Sequence, residues 1–228
     1  SLLVYIHGGY WQFLSKEESG FAAPPLVSHG IAVMAMDYDI APGGDMDLMV
    51  SQVRRSIVAV LQRFPQITSI YLCGHSAGAH LAAMTLSTDW SQFLPPSVPP
   101  GALLVSGVYD LLPITHTYVN DAIKMSQEVA IRNSPIQLTA LLKNHANNCQ
   151  MTIAVAEHDS PEFHRQSLEY FQVTLCIKHI LWDMWGMGSK IHSHLQGAHS
   201  VPRELCTNEG SAAPPPRMQH SSVYSAVH

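Results

Sequence analysis

Gly74-His75-Ser76-Ala77-Gly78 lies between the apolar run Ile67-Thr68-Ser69-Ile70-Tyr71-Leu72-Cys73 and the stretch Ala79-His80-Leu81-Ala82-Ala83-Met84, which reads as helix. A G-x-S-x-G motif joining a buried strand to a helix places its serine on a sharp, strained turn. Glycine is needed two residues before and two after the serine, because Cβ atoms there would collide across the turn. The turn lifts the Ser76 hydroxyl clear of the sheet, where a base can reach it.

A second motif sits upstream. The chain opens with the β-rich run Ser1-Leu2-Leu3-Val4-Tyr5-Ile6 and passes directly into His7-Gly8-Gly9-Tyr10-Trp11. Backbone N–H groups of such a glycine loop, with the N–H of the residue after the nucleophile, form an oxyanion hole. Gly8, Gly9 and Ala77 are the candidate donors. Glycine suits these positions because the backbone must approach substrate with no side chain in the way. The two motifs, in this order and each behind a strand, predict an α/β-hydrolase fold: a mostly parallel sheet with helices on both faces.

At 228 residues with 46% apolar content, the chain is long enough for one sizeable core. A net charge of −5 gives no electrostatic footprint for nucleic acid or an anionic membrane surface. No apolar run is long enough to span a bilayer. The four cysteines, Cys73, Cys149, Cys176 and Cys206, form no C-x-x-C pair, which favours free thiols and a cytoplasmic setting over a disulfide framework.

Strands are predicted at Leu2–Ile6, Ile31–Met36, Ser69–Cys73, Ala102–Val105 and Met151–Val155, each short and apolar on both sides. Helices are predicted between them. Asp45–Phe64 carries Met46, Met49, Val50, Val53, Ile57, Val60 and Leu61 on one stripe. Ala77–Leu86 follows the serine, and Pro161–Phe171 has Ser160 as N-cap and Pro161 at its first position. Thr115–His145 reads as helices arching over the site, and Pro95-Pro96 and Pro99-Pro100 as a rigid loop. The hydrolase domain is expected over 1–176, without the strands that ordinarily precede such an oxyanion loop. Residues 177–228, with six histidines and Pro214-Pro215-Pro216, are expected to be a divergent and partly disordered tail.

A serine hydrolase of this fold orders its triad as serine, acid, histidine. Strand Met151–Val155 is followed by Ala156-Glu157-His158-Asp159-Ser160-Pro161, which puts Asp159 where the acid belongs. The bland alternative is that Asp159 caps the helix beginning at Pro161. Asp110 is the competing acid, one strand too early. His192, His194 and His199 have the spacing of the triad base, but none follows a recognisable strand. His192-Ser193-His194 could also hold zinc, without a convincing third ligand. His80 reads as a core-facing helix residue and His7 as a group that shapes the glycine loop.

These strings together resemble the kynurenine formamidase (arylformamidase) family. The resemblance is carried by His7-Gly8-Gly9-Tyr10-Trp11, Asp37-Tyr38-Asp39-Ile40-Ala41-Pro42, Leu72 to Leu81, Val105-Ser106-Gly107-Val108-Tyr109-Asp110-Leu111 and Glu157 to Phe163. It implies hydrolysis of the formamide of N-formyl-L-kynurenine, with Ser76 as nucleophile, Asp159 as triad acid, and Gly8, Gly9 and Ala77 as oxyanion donors. It also implies Tyr10 and Trp11 as aromatic walls for the substrate ring, no metal or organic cofactor, a cytoplasmic and also nuclear location, and it allows a homodimer. The same residues would serve a general aryl or acyl carboxylesterase. The family's histidine segment has no counterpart here, and from Ile177 the chain departs from the family, as an alternative exon or frame-shifted end would. A chain lacking that histidine would be a catalytically dead isoform.

Overall fold

The computed structural model describes residues 1–90, 101–145, 149–174 and 177–182. The Pro95–Pro100 loop and the tail histidines His192, His194 and His199 lie outside the described residues. Six strands form one all-parallel sheet: β1 (Leu2–Ile6), β2 (Ala32–Met36), β3 (Ile70–His75), β4 (Gly101–Val105), β5 (Gln150–Val155) and β6 (Ile177–Trp182). Their spatial order is β2-β1-β3-β4-β5-β6. The five expected strands match to within a residue or two at each end. The sixth lies beyond residue 176 and pairs in parallel with β5.

Helices α1 (Ala23–Ser28), α2 (Met46–Arg63), α3 (Ala77–Leu86) and α7 (Pro161–Val173) cover the sheet. Between β4 and β5 run three short helices, α4 (Asn120–Ile123), α5 (Gln127–Arg132) and α6 (Thr139–His145). Helix α2 begins where the Asp45 carboxylate accepts from Leu48 N at 2.8 Å, and it buries Met46, Met49, Val50, Val53 and Ile57 along one stripe. All ten residues of α3 are buried. Four alanines and a glycine make it thin enough to lie between the sheet and α2. Among the described helices none is long and apolar enough to cross a membrane.

The direction of the crossovers decides which face each helix covers. The chain moves one way from β1 to β2 and the other way from β3 through β6. Right-handed connections therefore place α1 on one face and α2, α3 and α7 on the other. The second face buries Val4, Ile6, Leu72, Leu104 and Ile153 completely. On the α1 face Tyr71 and Leu103 remain 40% and 37% exposed, and with Leu3 and Leu26 they line an apolar groove of about 470 Å³.

The two faces meet at the elbow. A Cβ on Gly78 would collide with the carbonyls of Ile6 and His7, and one on Gly74 with the carbonyl of Gly78. Both obstacles are backbone, so neither can swing aside. Gly78→Ala is therefore expected to destabilise the fold by at least about 3 kcal/mol. Thermal unfolding followed by circular dichroism would read this as a fall in Tm of roughly 6–12 °C.

Candidate active site

The candidate nucleophile Ser76 stands between β3 and α3 with φ 55° and ψ −117°, a conformation that non-glycine residues rarely adopt. Its N–H donates to the Val105 carbonyl at 2.9 Å, and its own carbonyl accepts from His80 N at 3.2 Å. Ala77 is the first residue of α3, so its N–H has no partner four residues back. That donor points out of the positive end of the helix, as an oxyanion site needs.

The glycine loop lies directly against this turn. A Cβ on Gly8 would come within 3.2 Å of the Ser76 Cβ and 2.8 Å of the His75 carbonyl. Gly9 has φ 95°, and its carbonyl accepts from the N–H groups of Gln12 and Phe13 at 2.9 and 3.0 Å. Among the described residues no hydrogen bond uses the N–H of Gly8 or Gly9. The loop is held from behind. His7 stacks on Tyr38 at 4.3 Å, and the Tyr38 hydroxyl donates to the carbonyls of His7 and Gly8 at 3.1 and 3.2 Å. Burial pushes the Tyr38 pKa well up, so this donor keeps its proton.

Tyr10 and Trp11 part company. Both have positive φ, but Trp11 is 0% exposed and its indole donates to His80 Nδ1 at 3.2 Å. Trp11 is thus an anchor of the loop and not a wall of the open site, because its one polar atom is satisfied inside the core. Tyr10 lines an apolar cavity of about 200 Å³ together with Gly107, Val108, Ile114 and Phe163. Three of its lining residues, Tyr10, Gly107 and Ser160, follow Gly9, Ser106 and Asp159 in the chain.

Asp159 lies in the turn after β5, where its Oδ2 accepts from Ser106 Oγ at 2.5 Å and from Ala156 N at 3.0 Å. The carboxylate is held by those two donors, and Ser160 caps α7 without a side-chain bond. Asp110, the competing acid, accepts from Leu112 N at 3.0 Å in its own turn. Ser106 and Gln166 were not singled out from sequence. Gln166 is buried on α7 and accepts from the N–H groups of Tyr109 and Asp110 at 2.7 and 2.9 Å, tying α7 to the loop after β4. A serine-glycine pair directly after an apolar strand was the available signal for Ser106.

Two histidines on the elbow are described. His75 reaches solvent, but the atoms packed around its ring push its pKa down, against the pull of the Asp159 charge. His80 is fully buried. It accepts from Trp11 at Nδ1, and its Nε2–H donates to the Asn133 carbonyl at 2.7 Å, which sets the tautomer. Burial lowers its pKa to about 4. Among the described residues no three His, Cys, Asp or Glu side chains are grouped to hold a metal ion.

A serine on a strand–turn–helix elbow, faced by a glycine loop at the carboxyl ends of an all-parallel sheet in this order, defines an α/β-hydrolase. The chain belongs to the BD-FAE family, whose model matches residues 1–151. It is 63% identical over 174 residues to a kynurenine formamidase of Salmo salar and 61% identical over 172 residues to one of Danio rerio. Each alignment covers 75% of this chain but 58% of the relative, so the chain spans less than two thirds of the length of these relatives. A crystal structure of a putative thioesterase from Silicibacter sp. is 28% identical with a TM-score of 0.68, covering 79% of this chain and 66% of that one.

His80 generates a prediction about pH. Its folded pKa of about 4 lies below the ordinary 6.5, so on acidification the unfolded chain binds the proton first. The stability this group contributes is complete above pH 6.5 and is lost as pH falls towards 4, about 3 kcal/mol in all. Urea unfolding at pH 7, 6, 5 and 4 should show that slope. His80→Gln should be less stable at pH 7 and show a flatter dependence over the same range.

Proposed function

We propose that this chain is the catalytic core of a serine hydrolase that cleaves the formamide of N-formyl-L-kynurenine to formate and L-kynurenine. The observation that carries the reading is the facing of His7-Gly8-Gly9-Tyr10-Trp11 against Gly74-His75-Ser76-Ala77-Gly78, in a chain more than 60% identical to kynurenine formamidases over three quarters of its length.

In this reading Ser76 Oγ attacks the formyl carbon, and the carbonyl oxygen becomes an oxyanion held by the N–H groups of Gly8, Gly9 and Ala77. An imidazole oriented by Asp159 takes the serine proton and returns it to the departing aryl amine as the C–N bond breaks. A formyl ester remains on Ser76, and water releases it as formate. The cavity beside Tyr10 and Phe163 supports an aryl substrate, since its lining is mainly apolar and includes the residues next in sequence to Gly9 and Asp159. The reaction draws on backbone donors and a base, with no metal or cofactor step. Cys73 is a buried free thiol, and burial pushes its pKa up to about 11. A thiol held unpaired and inert in this way supports a reducing compartment such as the cytoplasm.

The test is release of formate and kynurenine from N-formyl-L-kynurenine by the purified chain. Ser76→Ala should abolish turnover, and Asp159→Asn should lower kcat by about 10³–10⁴-fold. Phe163→Ala should raise KM for the aryl formamide more than for nitrophenyl acetate. A chain that hydrolyses the nitrophenyl ester alone, still through Ser76, would be a general carboxylesterase. A folded chain inert towards both would be the dead isoform.

A further inference from the structure

The end of β4 touches both halves of the candidate site. The carbonyl of Val105 accepts from Ser76 N–H at 2.9 Å, and the next residue, Ser106, donates its hydroxyl to Asp159 Oδ2 at 2.5 Å. Ser106 is buried and adopts φ 47°, with its own N–H donating to the Ala154 carbonyl at 2.7 Å. Ala154 is in β5, two residues before the turn that carries Asp159. Ser106 is therefore bonded by its backbone to the strand and by its side chain to the carboxylate that the strand delivers.

We propose that Ser106 is the positioning residue of the acid. With Ala156 N it saturates Asp159 Oδ2 and leaves Oδ1 free to orient an imidazole, while the adjacent Val105 carbonyl sets the height of Ser76. This rests on the reading of Ser76 and Asp159 as nucleophile and acid. Three physical points carry it. A left-handed serine costs on the order of 1 kcal/mol that glycine would avoid, so the fold tolerates strain to keep a hydroxyl there. A hydroxyl-to-carboxylate bond is charge-assisted, about twice as strong as a neutral one. Both oxygens of a carboxylate left unheld would let it rotate, and misorientation of a general-base partner lowers the rate without weakening binding. Val105 and Ser106 then form one two-residue ruler between nucleophile and acid.

The decisive comparison uses the full chain and four variants: Ser106→Gly, which removes the hydroxyl and relieves the backbone strain, Asp159→Asn, the double variant, and Ser76→Ala. Ser106→Gly should lower kcat for N-formyl-L-kynurenine about 10–100-fold with KM within twofold and no loss of Tm. In the Asp159→Asn background it should add nothing, because it acts through that carboxylate. Backbone amide exchange at 156–160 should quicken in Ser106→Gly while α3 stays protected. A full-rate Ser106→Gly beside an inert Ser76→Ala would overturn the positioning role and leave the hydrolase reading standing. A loss that multiplies with that of Asp159→Asn, or unchanged exchange at 156–160, would also overturn it. Turnover surviving Ser76→Ala would remove the reading of the site and this inference together.

Discussion

The contact between the first turn of α3 and the end of β1 is made backbone to backbone, and the rest of the site hangs on it. Gly78 meets the carbonyls of Ile6 and His7, Gly74 meets Gly78, and Gly8 meets His75 and Ser76. No side chain separates these segments, so none can relax to absorb a change. The same closeness is what makes the strained φ of Ser76 sustainable, since a conformation costing roughly 1–3 kcal/mol survives only where its surroundings over-determine it. The serine hydroxyl, the first N–H of α3 and the glycine loop are therefore parts of one rigid object.

Buried polar groups extend that rigidity outward. Trp11 of the loop, His80 of α3 and Asn133 after α5, with Asp47 of α2 at the exposed end, are joined in series by hydrogen bonds of 3.2, 2.7 and 2.8 Å. Each internal member is satisfied, and a satisfied network in a low-dielectric core specifies one arrangement where an apolar contact would allow several. Gln166 does the same for α7 and the loop after β4, and Val105 with Ser106 for Ser76 and Asp159. The carboxyl ends of β1, β3, β4 and β5 are thus held in mutual register by a few short bonds, which is what positioning a reacting atom requires.

The two faces of the sheet are unequal. The face under α2, α3 and α7 is closed, whereas the α1 face leaves Tyr71 and Leu103 partly open to solvent among the described residues. The inequality follows from topology: one crossover runs towards β2 and all the others away from it, so handedness puts most helices on one side.

Much of this could be read from residues alone. The spacing of glycine and serine in 74–78 and the glycines of 8–9 are steric requirements of a local turn, so they are visible wherever the turn occurs. Strands β1 to β5 and helices α2, α3 and α7 announce themselves through apolar period and caps, which are also local. Strand β6 (Ile177–Trp182) is defined by its parallel pairing with β5, a partner that a local period does not name. Trp11 and Tyr10 look alike in sequence, and only the position of His80, 69 residues away, sends one indole into the core and leaves its neighbour beside the cavity. Ser106 carries only the weak signal of a serine-glycine pair after a strand, which is ordinary until Asp159, 53 residues on, folds back within hydrogen-bond reach. The sequence by itself determined the strand–turn–helix elbow, the glycine loop and the parallel α/β architecture, because backbone sterics and hydrophobic period act over a few residues. Tertiary structure alone decided which side chains hold Asp159, anchor the loop and line the cavity, because those roles depend on distances between segments that the chain keeps far apart.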